Sequence, residues 1–248
     1  MGFGISVPLV RSRSTTETVF TLPDFAGPQR KRRRAHRTDG LSSREPSTAL
    51  LAAKRSIDII GASFGLLLCA PLFVGIALAI KLTSPGPVFF RQKRYGYHNG
   101  RFRIYKFRTM HMHLGDDRGT RQTSADDPRV TSLGRMLRKT SLDELPQLIN
   151  VLIGDMSLVG PRPHVPGMLA GGMLYEQLAP YYLQRHNMRP GITGLAQASG
   201  FRGSTAAPGS AIERLDRDLQ YIEQWSLGLD VAIISRTIVR EFISGSGD

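Results

Sequence analysis

A helix-rich α+β fold is predicted by three features of the sequence: an uncharged apolar run at residues 59–80, two β-prone stretches meeting at Asn99-Gly100, and later segments with apolar residues at helical spacing. The run is long enough to involve a membrane, so the expected protein is membrane-associated, with a small β-hairpin and amphipathic helices at the lipid surface. With 248 residues, 41% of them apolar, the chain can bury one domain of ordinary size and carry appendages. Its 33 Lys and Arg against 20 Asp and Glu leave a net charge of +13, which points to an anionic partner: nucleic acid, anionic lipid or a phosphorylated substrate. The single cysteine, Cys69, excludes an internal disulfide and fits a reducing compartment.

Residues 1–50 read as a disordered basic tail. Arg11 and Arg13 interrupt the start too early for a secretory signal, and the stretch that follows is rich in Ser, Thr, Pro and Arg without periodicity. MGFGIS fits the Met-Gly-x-x-x-Ser pattern for myristoylation, a match short enough to arise by chance. The run QRKRRRAHR at 29–37 suits attraction to anionic headgroups as well as it suits a nucleic-acid signal.

Residues 51–82 read as a membrane element. An α-helix over 59–80 would measure about 33 Å at about 1.5 Å per residue, enough to reach across a hydrocarbon core. Its flanks oppose a crossing: Lys54 and Arg55 precede it, and Lys81, Arg91, Lys93 and Arg94 follow it, so both ends favour the cytoplasmic face. Pro71 lacks an N–H and presses on the carbonyl of Leu67, which breaks or kinks the helix. A re-entrant helix satisfies both observations; a kinked spanning helix and a buried core helix are the alternatives. Gly61 and Gly65 make a GxxxG pair suited to close helix contact, a pattern that is often incidental.

Residues 83–248 read as a cytosolic domain that would carry the chemistry. VFFRQKRYGYHNGRFRIYKFRTM reads as a basic hairpin turning at Asn99-Gly100. The polar stretch after it reads as a loop; His111 and His113 have no third ligand nearby in sequence, and the pairs Asp116-Asp117 and Asp126-Asp127 read as loop and turn residues. TSLDELPQLINVLIG then places Leu142, Leu145, Leu148, Ile149 and Leu152 at helical spacing, with Ser141 and Glu144 as a capping box. Asp143 and Glu144 would sit in that helix's first turn, where the dipole alone explains acids. Basic company changes the weighing: Arg138 and Lys139 lie just upstream, and Arg162 follows in a turn made rigid by Pro161 and Pro163. Cations beside a helix start make an anion site suited to a diphosphate, and a carboxylate in that field stays ionised and able to attack phosphorus. Adjacent helical residues point about 100° apart, so one acid could attack while the other holds a metal.

KRSIDIIGASFGLLLCAPLFVGIALAIKLTSPGPVFFRQKR, FRIYKFRTM, SLDELPQLINVLIGDMSLVGPRP, RPGITGLAQASGFRG and YIEQWSLGLDV, in that order over residues 54–243, resemble the bacterial sugar transferase family of monotopic polyprenyl-phosphate phosphoglycosyl transferases. The resemblance implies transfer of a sugar 1-phosphate from a UDP-sugar to undecaprenyl phosphate, with Mg2+ and release of UMP. It implies the first membrane step of exopolysaccharide or surface glycan synthesis, at the bacterial inner (cytoplasmic) membrane with the active site facing the cytoplasm. Asp143 would be the nucleophile that forms a phosphosugar-aspartyl intermediate, and Glu144 its Mg2+-binding partner. Arg138 and Arg162 would contact phosphate, with Pro161 and Pro163 near the nucleotide; Lys106 and Arg108 are further phosphate ligands, or merely the exposed face of a basic hairpin. Asp155 either supports the site or caps a turn. Membrane lipid is an implied partner, a homodimer is compatible, and nucleic acid is not expected.

Two departures bear on this expectation. Ala70 stands before Pro71, where members of the family often have a Ser whose hydroxyl can satisfy the freed backbone. The chain also shows only a basic tail where longer members have several transmembrane helices and a further domain, so it resembles the short form. RPGITGLAQASGFRG matches neither a GxGxxG nor a GxxxxGK pattern; it resembles the version found in members that transfer glucose or galactose 1-phosphate. SAIERLDRDLQYIEQW reads as an amphipathic helix whose Asp216-Arg217-Asp218 is surface charge rather than a metal-binding DxD. DVAIISRTIVREFI, with Arg236 and Arg240, suits the lipid surface or packing within the domain. Direct attack in a ternary complex, and a tethered binder of nucleic acid or anionic lipid, are the competing functions.

Overall fold

The computed structural model describes residues 47–114, 123, 127–170, 172–201 and 208–244. Nearly all of the expected basic tail, together with Asp116, Asp117 and Asp126, lies outside them.

Helix α1 runs from Thr48 to Thr83, and the Ser47 hydroxyl caps it by accepting from the Leu50 N–H. The helical assignment continues through Pro71, so the expected break does not end the helix there. The buried residues of α1 lie toward its two ends, and none falls between residues 63 and 75. Lys54, Asp58 and Ala62, four residues apart, face inward near the start, and Ile76 and Ile80 do so near the end. Ala62 packs with Phe102, Ile104, Val151 and Met156; Ile76 and Ile80 pack with Phe107 and Leu137. Phe64, Leu67, Leu68 and Leu82 are all roughly two-thirds or more exposed, an apolar surface that water does not favour. Gly61 and Gly65 do make a close contact, against the protein's own domain: a Cβ at Gly61 would lie 2.7 Å from Leu158, and one at Gly65 3.2 Å from Leu148.

The hairpin forms as expected from strands β1 (Phe89–Tyr95) and β2 (Arg101–Phe107), in antiparallel register from Phe89↔Phe107 to Tyr95↔Arg101. Its connection is longer than a two-residue Asn-Gly turn. A 3₁₀ turn at Tyr97–Asn99 intervenes, with His98 and Asn99 both at positive φ, and the Gly96 N–H closes the loop on the Gly100 carbonyl at 2.7 Å. The tip is held from outside by His186, whose Nδ1 lies 2.6 Å from Asn99 Oδ1.

Helix α2 (Ser132–Lys139) is capped by Thr131, and Asp127 braces the turn before it by pairing with Arg129 at 2.6 Å. Asp127 therefore is a turn residue, though a buried one. Helix α3 (Gln147–Ile153) begins only after Pro146, and no capping box forms: Ser141 takes a left-handed backbone (φ 55°) without a side-chain cap, and Leu142–Glu144 is a 3₁₀ turn. Strand β3 (Ser157–Val159) pairs in parallel with β6 (Gly191–Thr193), and a small hairpin of β4 (Leu169–Ala170) and β5 (Met173–Leu174) lies between them in sequence. Short helices α4 (Tyr175–Leu178) and α5 (Leu195–Ala198) and a 3₁₀ segment (Tyr182–Asn187) complete the middle of the chain.

Helices α6 (Pro208–Glu223) and α7 (Leu227–Ser244) are the last two elements among the described residues. Ala211, Leu215, Asp218 and Tyr221 form the buried face of α6, so Asp218 is not surface charge; Asp216 is exposed, as expected. On α7, Asp230 and Ile233 face inward while Val231, Ile238 and Val239 are exposed beside Arg236. Asp230 joins α7 to α1: its carboxylate accepts from Lys54 Nζ at 2.7 Å and from the Tyr221 hydroxyl at 2.7 Å. Lys54 also donates to the Val159 carbonyl, and Asp58 accepts from Ser157 Oγ and the Leu158 N–H, each at 2.9 Å. The first turns of α1 are thus bonded directly to β3, the strand that leads into the candidate site.

Candidate active site

Three local structures bring four sequence-predicted residues together. Strand β2 delivers Lys106, opposite Phe90 in the ladder. The positive-φ turn at Ser141 reverses the chain after α2 and sets Asp143 and Glu144 on the 3₁₀ turn. Strand β3 ends at Val159, and after Gly160 the turn Pro161-Arg162-Pro163 aims Arg162 back at the acids. Glu144 is gripped on both oxygens: Arg162 Nη2 donates to Oε1 at 2.6 Å, Arg162 Nη1 to Oε2 at 3.2 Å, and Lys106 Nζ to Oε1 at 2.6 Å. Asp143 stands beside this grip, with Lys106 Nζ 3.5 Å from its Oδ2.

The two neighbouring carboxyls are consequently in opposite electrostatic states. Burial pushes Glu144 up, but Arg162 and Lys106, by charge and by hydrogen bond, outweigh it and hold the carboxyl well below its usual range. Burial also pushes Asp143 up, and here it prevails: the attraction of Lys106, Arg138 and Arg162 does not offset desolvation and the adjacent Glu144 charge. The expectation that a carboxylate in this field stays ionised is favoured by the cations at Glu144 and opposed by burial at Asp143. Of the two acids, Asp143 is the less stabilised as an anion.

The remaining predicted residues divide. Arg138 lies close enough to act on Asp143 and anchors its Nε on Thr109 Oγ1 at 2.9 Å. Pro161 and Pro163 are buried on either side of Arg162. Arg108 points elsewhere: its guanidinium donates to the carbonyls of Pro85 and, at 2.9 Å, Ser84, closing the connection between α1 and β1. Strand β2 ends at Phe107, so the alternation that would have put Arg108 on the face of Lys106 stops one residue too soon. Asp155 accepts from Asn150 at 3.3 Å, and Asn150 bonds the backbone of Arg103 and Tyr105, so Asp155 supports the packing of α3 on β2. Among the described residues, no cluster of three His, Cys, Asp or Glu could hold a metal, and His111 and His113 stand as a pair with ring centres 5.5 Å apart.

Three glycines explain why the turn can sit where it does. A Cβ at Gly160 would lie 2.2 Å from the Arg189 carbonyl, one at Gly191 2.1 Å from the Gly160 nitrogen, and one at Gly194 2.3 Å from the Gly160 carbonyl. The glycines of RPGITG therefore permit a backbone crossing under Pro161-Arg162-Pro163, a role that no nucleotide-loop pattern describes. Residues that sequence reasoning missed include Arg94, which donates to the Pro163 carbonyl at 3.2 Å, and Arg185 and Asp218, described below. For Asp218 a signal existed, since it falls on the apolar face with Ala211 and Leu215; Arg94 had none within its basic strand.

The family model described as bacterial sugar transferase matches residues 49–244. The chain belongs to the bacterial sugar transferase family. This transferase is 51% identical over 197 residues to the exopolysaccharide production protein PSS of Rhizobium leguminosarum bv. phaseoli, covering 79% of this chain and 98% of that one. It is 50% identical over 191 residues to the undecaprenyl-phosphate glucose phosphotransferase of Komagataeibacter xylinus, covering 77% of this chain and 36% of the relative. It is 47% identical over 191 residues to the UDP-glucose:undecaprenyl-phosphate glucose-1-phosphate transferase of Escherichia coli (strain K12), covering 77% and 40%. The chain thus spans nearly all of the first relative and about two-fifths or less of the other two. Asp143, Glu144, Lys106 and Arg162 all lie inside the matched span.

Proposed function

We propose that this transferase moves glucose 1-phosphate from UDP-glucose to undecaprenyl phosphate in two steps, with Asp143 as the nucleophile. An Asp143 oxygen forms a bond to the β-phosphorus of the donor as the bond from that phosphorus to the bridging oxygen breaks, and UMP leaves with the electron pair. An oxygen of undecaprenyl phosphate then bonds to the same phosphorus, and the Asp143 carboxylate is released. The observation that carries the reading is the geometry of the two acids: Glu144 is gripped on both oxygens by a bidentate arginine, while Asp143 stands beside it with Lys106 Nζ 3.5 Å away and its oxygens outside that clamp. Relatives named for glucose 1-phosphate transfer support glucose as the sugar.

Lys106, Arg138 and Arg162 supply the positive field for the phosphoryl oxygens. The site also suits Mg2+, which takes one or two carboxylates and completes its shell with substrate phosphate and water. Three of the roughly four lone-pair positions of Glu144 accept from Arg162 and Lys106, which leaves one on Oε2 for such an ion. Bound there, Mg2+ would neutralise charge on the donor's diphosphate.

Helix α1 is read as re-entrant. Its two ends pack on the same cytosolic unit, its middle presents bare apolar side chains, and both flanks are basic. The acceptor's phosphate lies at the membrane surface, where α1 and the exposed apolar side chains of α7 would hold the site at the inner membrane's cytoplasmic face. The test is UMP release from a panel of UDP-sugars with undecaprenyl phosphate in detergent. UDP-glucose should give the fastest turnover; no UMP from any sugar would sink the reading. Cysteines placed at residues 50 and 90 should label from the same side of the bilayer, and labelling from opposite sides would exclude a re-entrant α1.

A further inference from the structure

The turn that carries Arg162 has an unusual constraint. Pro161 and Pro163 have no N–H, so the turn can be gripped almost only through its carbonyls. Each is taken by a different donor: Pro161 by the Gly191 N–H at 3.0 Å, Arg162 by Arg185 Nη2 at 2.7 Å, Pro163 by Arg94 Nη1 at 3.2 Å, and His164 by the Tyr95 N–H at 3.0 Å. Two of the four are backbone groups fixed by strands. The grip on Arg162 itself comes from a side chain, and that side chain is held in turn by Asp218 of α6, whose Oδ2 lies 2.5 Å from the same Nη2. Arg185 and Asp218 are each only 1% exposed.

We propose that the buried Arg185–Asp218 pair is a positioning device for catalysis: it fixes the main chain of Arg162, and through the Arg162 fork it fixes Glu144 for the donor's diphosphate. The inference rests on the transfer reaction proposed above. The connection is continuous and short. Asp218 orients Arg185, Arg185 holds the Arg162 carbonyl, the Arg162 guanidinium clamps Glu144, and Lys106 bridges Glu144 to Asp143. Stability alone does not call for charges here, because a buried ion pair is commonly matched by a well-packed apolar pair of similar volume. An apolar pair lacks a donor for the Arg162 carbonyl. The Arg162 side chain keeps 30% exposure, and the Arg185 donor is the side-chain bond that fixes its own carbonyl.

A double-mutant cycle separates positioning from mere support. Arg185→Met combined with Asp218→Leu removes both charges and restores packing; Arg162→Ala removes the clamp; the triple variant combines them. UMP release and melting temperature are measured for each, and UDP affinity is measured by calorimetry. The Arg185/Asp218 variant should melt close to wild type, release UMP about 10²-fold more slowly, and bind UDP more weakly. Added to Arg162→Ala, the same changes should cost almost nothing further, because the clamp they position is gone. Arg185→Lys, which keeps the charge but is too short to serve both the Arg162 carbonyl and Asp218 as Nη2 does, should show the same dependence on Arg162 and serves if the double variant does not fold. Losses that multiply with Arg162→Ala, or a rate that recovers together with the melting temperature, would overturn the proposal. Wild-type protein that releases no UMP would defeat the transfer reading instead, and the cycle is then decided by UDP affinity: coupling with Arg162 supports positioning, and independent losses or no UDP binding overturn it.

Discussion

Replacing Gly191 with Ala tests the geometry of the site without touching any charged group. The new Cβ would lie 2.1 Å from the Gly160 nitrogen, whereas Cβ atoms in proteins do not approach other atoms within 3.0 Å, so β3 and β6 must separate locally by about 0.9 Å. Backbone lies on both sides of the contact, and no flexible side chain can absorb the strain. Overpacking of this kind costs about 1–3 kcal/mol. The larger consequence is positional: Gly160 starts the turn, Arg162 is two residues on, and its 2.6 Å contact with Glu144 cannot survive a shift of that size unaltered. A misplacement of about 1 Å in such a clamp costs about 10²-fold in rate. UMP release with UDP-glucose and undecaprenyl phosphate measures it, alongside thermal melting. Gly75→Ala is the control, since nothing lies within 4 Å of that position on α1; it should keep full rate and gain up to about 1 kcal/mol. A Gly191→Ala enzyme with wild-type rate and melting temperature would refute the close-crossing account.

Two further predictions concern buried charge. Because burial raises the Asp143 pKa, the folded protein binds that proton more tightly than the unfolded chain. Stability from this group falls as pH rises from the ordinary carboxylate range through the raised value, so Asp143→Asn should melt higher than wild type at neutral pH while losing transfer, and wild-type transfer should fade on acidification at a higher pH than an ordinary aspartate would dictate. An unchanged or lower melting temperature for Asp143→Asn, or a rate that is flat with pH, would contradict this. Lys54→Met should cost about 3–5 kcal/mol by stranding the buried Asp230, and Lys54→Met with Asp230→Leu should recover much of it; melting curves in detergent show whether the single change is as mild as a surface substitution.

What the sequence disclosed follows from how local each feature is. Asp143, Glu144 and Arg162 announced themselves through neighbours in sequence, and the apolar run of α1 through its length. The helix start was misplaced because Ser141 and Glu144 have capping-box spacing, although Pro146 marks the true beginning of α3. Lys106 and Arg108 look equivalent by alternation, and only the end of β2 at Phe107 sends Arg108 to the Ser84 and Pro85 carbonyls. The glycines at 160, 191 and 194 and the Arg185–Asp218 pair depend on contacts between segments about thirty residues apart, and nothing in either segment alone specifies the other. Asp218 is the instructive case: as DxD it suggested a metal site or surface charge, yet its position on the apolar face of α6 was legible and indicated burial.

The covalent step is open to direct observation. Purified protein in detergent is incubated with UDP-glucose labelled in its glucose, without undecaprenyl phosphate, then quenched and analysed by mass. The account predicts glucose phosphate attached at Asp143 with an equal amount of UMP, discharge of that label on adding undecaprenyl phosphate, and no adduct in Asp143→Asn. UMP formed only when the acceptor is present, with no labelled protein at any time, would show that the acceptor attacks the donor directly and that Asp143 is not the nucleophile.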